Sequence, residues 1–291
     1  MTQNFKLNIA DTIFSFTAEQ GVSLSKDIAP YNLFLVEGRP EVILRYKYGS
    51  YWRTDMNSSK EIIFDSHPTW RLFYFNKKYI LETRTHTLVA SPDFTSGDVY
   101  LDKKLGNYPF VYPLDEVLMI NLLGKGRGVF VHACGVNNNG SEGLLFAGTS
   151  RAGKSTIANL WKCSGMSTDK SPQSKVKDTT ILSDDRIIIR KTDGQFWIYG
   201  TPWHGDAKAC SPEKFPLKKI FFLEHASENY VRDVKRVEAV SKLLVRSFPP
   251  FWDSEGMEFT LKFIEEVTRE TPCYDLGFLP DKSAIDFIKN I

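Results

Sequence analysis

Residues 142–156 read EGLLFAGTSRAGKST, an apolar run that gives way at Gly148 to a glycine-bearing loop, and IANLWK follows at helical spacing. Strand, loop and helix in that order commit this part of the chain to an α/β arrangement. Gly148, Gly153, Lys154 and Ser155 satisfy G-x-x-x-x-G-K-[ST], a pattern that ordinary composition produces by accident in about one chain in a hundred of this length. Glycines let consecutive backbone N–H groups converge on an anion, and the helix that follows adds its positive N-terminal end. Gly148, Thr149, Ser150, Arg151, Ala152, Gly153, Lys154, Ser155 and Thr156 therefore form a candidate cradle for nucleotide phosphates. Lys154 is suited to the β- and γ-phosphates and the Ser155 hydroxyl to Mg²⁺.

Two flanking patterns extend this reading. Upstream, RGVFVHACGVNNNGSEGLLFA holds two apolar runs joined by NNNG, which favours positive φ and predicts a hairpin. His132 lies on its first strand, and pairing brings that strand beside the cradle. Downstream, TTIL ends in Ser183-Asp184-Asp185, where a phosphoryl-transfer site needs a metal ligand and a proton acceptor. Two adjacent carboxylates allow that division of labour, and their mutual repulsion predicts that one pKa is raised. GTPWHGD, residues 200–206, offers Asp206 as a metal ligand and His204 as a polar contact, with Lys208 a weaker phosphate contact just beyond. His67, His86 and His225 carry no partner pattern.

The first 125 residues differ in character. Runs such as EVILRYKYGSYW, EIIFDS and WRLFYF, broken by GS, NKK and SPD, predict antiparallel strands, and DEVLMINLLGKG predicts a helix over 115–126. The expected division is a β-rich domain over 1–125 and an α/β domain over 126–291. In the latter, SGMSTDKSPQSKVKD (164–178) reads as a surface loop, TDG as a hairpin turn and KKIFFLEHA as a strand. AVSKLLVRSF and DSEGMEFTLKFIEEVTRE read as helices, the second with Met257, Leu261, Ile264 and Val267 or Thr268 on one stripe and Asp253 or Ser254 as its cap. CYDLGFLP reads as a late strand and DKSAIDFIKNI as a closing helix.

Composition narrows the partners. Of 291 residues 42% are hydrophobic and 25% charged, with a formal net charge of +2; this is a globular balance that calls for neither nucleic acid nor a membrane surface. Cys134, Cys163, Cys210 and Cys273 are far apart without a C-x-x-C pair, which argues for reduced thiols rather than a disulfide framework or a zinc site. The opening MTQNFKLNIADTIF lacks the pattern of a signal peptide. A soluble, cytoplasmic protein is expected.

VHACGV, LFAGTSRAGKST and LSDDR, in that order, resemble the catalytic domain of the HPr kinase/phosphorylase family, within the phosphoenolpyruvate carboxykinase-like P-loop superfamily. The resemblance covers residues 128–190 well and the remainder to 291 loosely. It implies a P-loop core with a mixed sheet, His132 beside the reacting phosphate, Lys154 and Ser155 on phosphates and Mg²⁺, Asp184 as base and Asp185 on the metal. The family's Glu-x-Arg-Gly motif is absent: Trp197 and Tyr199 stand at the corresponding places in FWIYGTPWHGD, which leaves Asp206 as the nearest replacement ligand. The loop that recognises HPr is not evident, and the chain looks like a diverged branch, some members of which phosphorylate a peptide serine. The resulting expectation is an ATP- and Mg²⁺-dependent kinase acting on a hydroxyl, with Ser of a peptide or protein as first choice. The alternatives are a small-molecule kinase or carboxykinase-like phosphotransferase, and a non-catalytic ATP-binding regulatory protein. The β-rich domain is expected to select the acceptor, and family members are often oligomeric.

Overall fold

The computed structural model describes residues 4–25, 29–51, 61–102, 108–165 and 179–291; most of the expected surface loop, 166–178, lies outside them. The chain divides into two compact units, residues 1–125 with 250–256, and residues 126–249 with 257–291. Each has its own sheet, and the fold is mixed α/β.

In the first unit the alternation of apolar and polar residues sets which side chains face inward. In β3 (Val42–Tyr48), Val42, Leu44 and Tyr46 are buried while Ile43 and Arg45 face out. The other strands are β1 (Asn4–Ile9), β2 (Thr12–Ala18), β4 (Glu61–Ser66), β5 (Trp70–Phe75), β6 (Lys78–Thr83), β7 (His86–Ala90) and β8 (Ser96–Leu101). They form one sheet in the order β1-β2-β3-β8-β7-β6-β5-β4. The expectation of antiparallel strands needs correction, because β2 with β3 and β3 with β8 pair in parallel. Alternation fixes a strand's face but not its direction, and long excursions separate both pairs in sequence.

Helix α1 (Leu114–Gly124) follows, buried along most of its length. Residues 250–256 return to it: Trp252 Nε1 donates to Asn121 Oδ1 (2.9 Å), and Lys125 Nζ to Asp253 Oδ2 (2.7 Å). Asp253, expected as a helix cap, thus commits a carboxylate oxygen to Lys125. Phe64, Trp70, Phe251 and Trp252 pack as an aromatic cluster there, with centroids 4.5–5.4 Å apart.

The second unit is built around the hairpin of β9 (Val129–Asn138) and β10 (Glu142–Ala147), which turns with Asn139 and Gly140 at positive φ. Beyond it come α2 (Lys154–Gly165), β11 (Ile181–Ser183), β12 (Arg186–Thr192), β13 (Gln195–Tyr199), β14 (Lys214–His225), β15 (Tyr230–Asp233), α3 (Arg236–Leu244), α4 (Ser254–Glu270), β16 (Cys273–Phe278) and α5 (Lys282–Lys289). The sheet runs β10-β9-β12-β13-β14-β16-β15, with β11 on β9. β10 also pairs in parallel with β14, so the sheet is mixed.

Alternate residues of the sheet feed two cores. Val129, Val131 and Ala133 join Ala239 and Leu243 of α3 and Phe263, Ile264 and Val267 of α4. Cys134, Val136 and Phe146 join Ile157, Ala158 and Trp161 of α2 and Ala284, Ile285 and Ile288 of α5. Trp161 is fully buried and its Nε1 donates to the Asn137 carbonyl (3.0 Å). Truncation of a side chain packed in this way costs about 3–5 kcal/mol, so α2 is held firmly behind the loop it follows. The expected α4 stripe shifts: Thr260, Phe263, Ile264, Val267 and Thr268 are buried, whereas Leu261 is exposed. At the C-terminus Asp281 caps α5 through the Ser283 N–H (2.8 Å).

Candidate functional site

The loop 148–153 leaves the end of β10 and enters α2 at Lys154, whose first N–H groups have no partner within the helix by geometry. Gly153 has φ +104°, and a Cβ there would meet the Phe278 ring at 2.8 Å, so both backbone and space require glycine. Lys154 is buried, and its Nζ donates to the carbonyls of Gly148 (2.9 Å) and Thr149 (2.8 Å). Burial, the largest influence, lowers the pKa of this ammonium, against partial support from the Asp185 charge. An anion brought to it would restore the charge balance that burial removes.

Asp184 is fully buried, and four donors converge on its carboxylate. Oδ1 accepts from the N–H groups of Gly205 (2.9 Å) and Ala209 (3.2 Å), and Oδ2 from the Ala207 N–H (2.9 Å) and Ser155 Oγ (2.8 Å). The cluster is tight enough to dictate a residue: a Cβ on Gly205 would stand 2.8 Å from Asp184 Oδ2 and 3.2 Å from Ser155 Oγ. A carboxylate held in this way is an organiser that ties the start of α2 to the 205–209 loop. The role expected for it was that of general base; its oxygens are engaged away from solvent.

Asp185 faces the open side instead. Its Oδ1 lies 2.9 Å from His132 Nε2 and its Oδ2 2.6 Å from Arg186 Nη1. Ser183 fixes the turn that separates the two aspartates, since its Oγ accepts from the N–H groups of Asp185 and Arg186 (3.0 Å each) and donates to the Trp203 carbonyl (2.7 Å). Burial, the largest single influence, works to raise the Asp185 carboxyl. The hydrogen bond from His132 and the charges of Arg186, His132 and Lys154 outweigh it and hold the group below its ordinary 3.8. The raised pKa expected from two neighbouring carboxylates is therefore not found at Asp185.

His132, Lys154, Ser155, Asp185 and Asp206 line one polar cleft of ≈ 410 Å³, together with Ser150, Arg151, Gly153, Thr156 and Gly205. His132 reaches it because β9 pairs with β12 at Arg186 and accepts at its own carbonyl the Gly148 N–H (3.3 Å). Trp203 is a buried anchor against Phe130 (5.1 Å between centroids), whereas His204 and Lys208 are exposed and do not line the cleft. Trp197 and Tyr199, which stand where the resemblance would place a glutamate, lie 5.5 Å and 5.3 Å from Lys214 Nζ as cation–π partners.

Ser183 and Phe248 also bear on the site and are not among the expected site residues. Ser183 had a local signal, a serine two and three residues before the N–H groups that it accepts. Phe248 had none, because its partners Arg186 and His132 are distant in the chain.

The other histidines are placed as follows. His86 is buried with its ring nitrogens 2.6 Å from Thr85 Oγ1 and 2.9 Å from the Tyr108 carbonyl, while His67 and His225 are exposed. A larger cleft of ≈ 690 Å³ in the first unit is lined by Thr83, Arg84, Thr85, His86 and Thr87 among others. Cys134 and Cys273 are buried, and burial pushes the Cys273 thiol up to about 12.

Among the described residues no group of three or more His, Cys, Asp or Glu side chains is placed to hold a metal ion, and no helix is long and apolar enough to cross a membrane. Mg²⁺ does not require such a cluster, since it keeps several waters and takes one or two protein oxygens with substrate phosphates. Ser155 and Asp206, both at the cleft, supply oxygens of that kind.

No known protein family description matches the chain, and no curated protein matches it in sequence. Among solved structures it is distantly similar in fold to the HPr(Ser) kinase/phosphatase from Coxiella burnetii, at 10% identity and a TM-score of 0.30 over 55% of this chain and 86% of that one. A likeness at that level carries no argument about chemistry.

Proposed function

We propose that the second unit is a phosphotransferase with a P-loop, which passes the γ-phosphoryl group of ATP to a hydroxyl, with serine of a peptide or protein as the first-choice acceptor. The observation that carries this reading is the convergence on one cleft of Lys154, Ser155 and the Asp185–His132 pair, with Asp184 bonded to Ser155 from behind. The order of VHACGV, LFAGTSRAGKST and LSDDR supports it.

In this reading Lys154 exchanges its loop carbonyls for phosphate oxygens, and the N–H groups at the start of α2 hold the same anion. Ser155 and Asp206 would hold Mg²⁺, while Asp184, behind Ser155, fixes the hydroxyl's direction. The metal, when bound, supplies neutralisation of charge on the transferring group. Asp185 receives the acceptor's proton as the acceptor oxygen bonds to phosphorus and the bond to the leaving nucleoside diphosphate breaks. Its low pKa keeps it ionised at neutral pH, so it acts through placement more than through basicity. His132 donates to it and orients it. The first unit is proposed to select the acceptor.

The test is calorimetric titration of ATP with Mg²⁺ into the purified chain, followed by transfer of labelled phosphate from ATP to serine-containing peptides. Binding with transfer supports the kinase reading. Binding without transfer to peptides or small hydroxyl compounds favours the regulatory alternative, and no binding overturns both.

A further inference from the structure

Segment 246–248, after α3, adds a short strand-like stretch to β9. The His132 N–H donates to the Arg246 carbonyl (2.7 Å), the Phe248 N–H to the Phe130 carbonyl (2.8 Å), and Ser247 bridges Val131. The stretch delivers one ring to the site. Arg186 Cζ lies 4.5 Å from the centroid of Phe248, and the His132 and Phe130 rings lie 6.2 Å and 5.4 Å from it. Arg186 and His132 are the two residues that hold the two oxygens of Asp185.

We propose that Phe248 is a positioning residue for phosphoryl transfer: its ring fixes the Arg186 guanidinium and the His132 imidazole together, and so aims the Asp185 carboxylate into the cleft. This rests on the reading of Asp185 as the proton acceptor. A guanidinium on an aromatic face keeps its plane and its forked geometry toward a carboxylate, which an aliphatic neighbour does not impose. The charged groups that bear on Asp185 are His132 from β9, Arg186 from β12 and Lys154 from α2. Two of the three therefore pack on Phe248.

The experiment compares Phe248→Leu, Phe248→Tyr and wild type in two ways. Nitrogen NMR follows the side-chain Nε–H signal of Arg186, assigned through Arg186→Lys, in the unliganded chain. Kinetics follow kcat and KM for ATP with Mg²⁺. Phe248→Leu is expected to displace and broaden the Arg186 signal and to lower kcat about tenfold, with KM for ATP within about twofold of wild type. Phe248→Tyr, which keeps the aromatic face, is expected to match wild type in both. A wild-type Arg186 signal in Phe248→Leu, or a Tyr variant displaced as far as the Leu variant, overturns the proposal. If Phe248→Leu does not fold, Arg186→Lys tests the same stack from its other side, since it keeps the charge and loses the plane; a wild-type kcat there overturns it equally. If wild type transfers no phosphoryl group the kinase reading fails, and the Arg186 signal alone decides the positioning role.

Discussion

Ser155 Oγ donates to Asp184 Oδ2 at 2.8 Å, so the first turn of α2 and the end of β11 are joined through a fully buried carboxylate. That bond, with three backbone N–H groups on the same carboxylate, ties the first turn of α2 to the 205–209 loop; in the proposed function the proton falls to its neighbour, Asp185.

Asp184→Asn places an amide N–H₂ among four donors. It is expected to lower the unfolding free energy by about 2–3 kcal/mol in urea titrations and to weaken Mg²⁺-dependent ATP binding through Ser155. Unchanged stability would show that the four bonds do not hold the loop.

Gly205→Ala puts a Cβ 2.8 Å from Asp184 Oδ2. The 205–209 loop must shift to accept it, at an expected cost of about 1–3 kcal/mol. Thermal melting reads the loss, and phosphate transfer is expected to fall with it.

Lys154→Met removes a buried ammonium whose pKa burial already lowers. ATP affinity is expected to drop about a hundredfold by calorimetry, because a charge-assisted contact to phosphate is lost. The melting temperature should hold or rise, since a desolvated charge is gone.

Asp185 has a folded-state pKa below its ordinary 3.8. Its ionised form therefore contributes stability that is complete above that unfolded-chain value and is lost as pH falls through the folded one. The stability difference between wild type and Asp185→Asn should shrink as pH falls from about 5 to below about 4. Urea unfolding across that range checks the sign, and a difference that grew with acid would contradict it.

Local patterns explain what the sequence revealed. The β9–β10 hairpin, the glycine loop and α2 were legible because apolar periodicity, a positive-φ turn and the G-K-S spacing all lie in one continuous stretch of chain, from Val129 to Gly165. The clustering of His132, Lys154 and Asp185 followed from that order. The different surroundings of the two aspartates were not legible, since adjacent residues in an extended turn face opposite ways, and only the tertiary donors show that Asp184 is enclosed. The parallel pairings of β3 and the return of residues 250–256 to α1 depend on contacts distant in sequence, and no local pattern encodes them. Phe248 was invisible for the same reason.

The most direct test of the central claim is transfer of label from γ-labelled ATP with Mg²⁺ to serine-containing peptides by wild type and Asp185→Asn, with ATP affinity measured in parallel. The account predicts transfer by wild type, and a loss of about a hundredfold or more in Asp185→Asn with ATP affinity retained. An Asp185→Asn variant that transfers at the wild-type rate would contradict it.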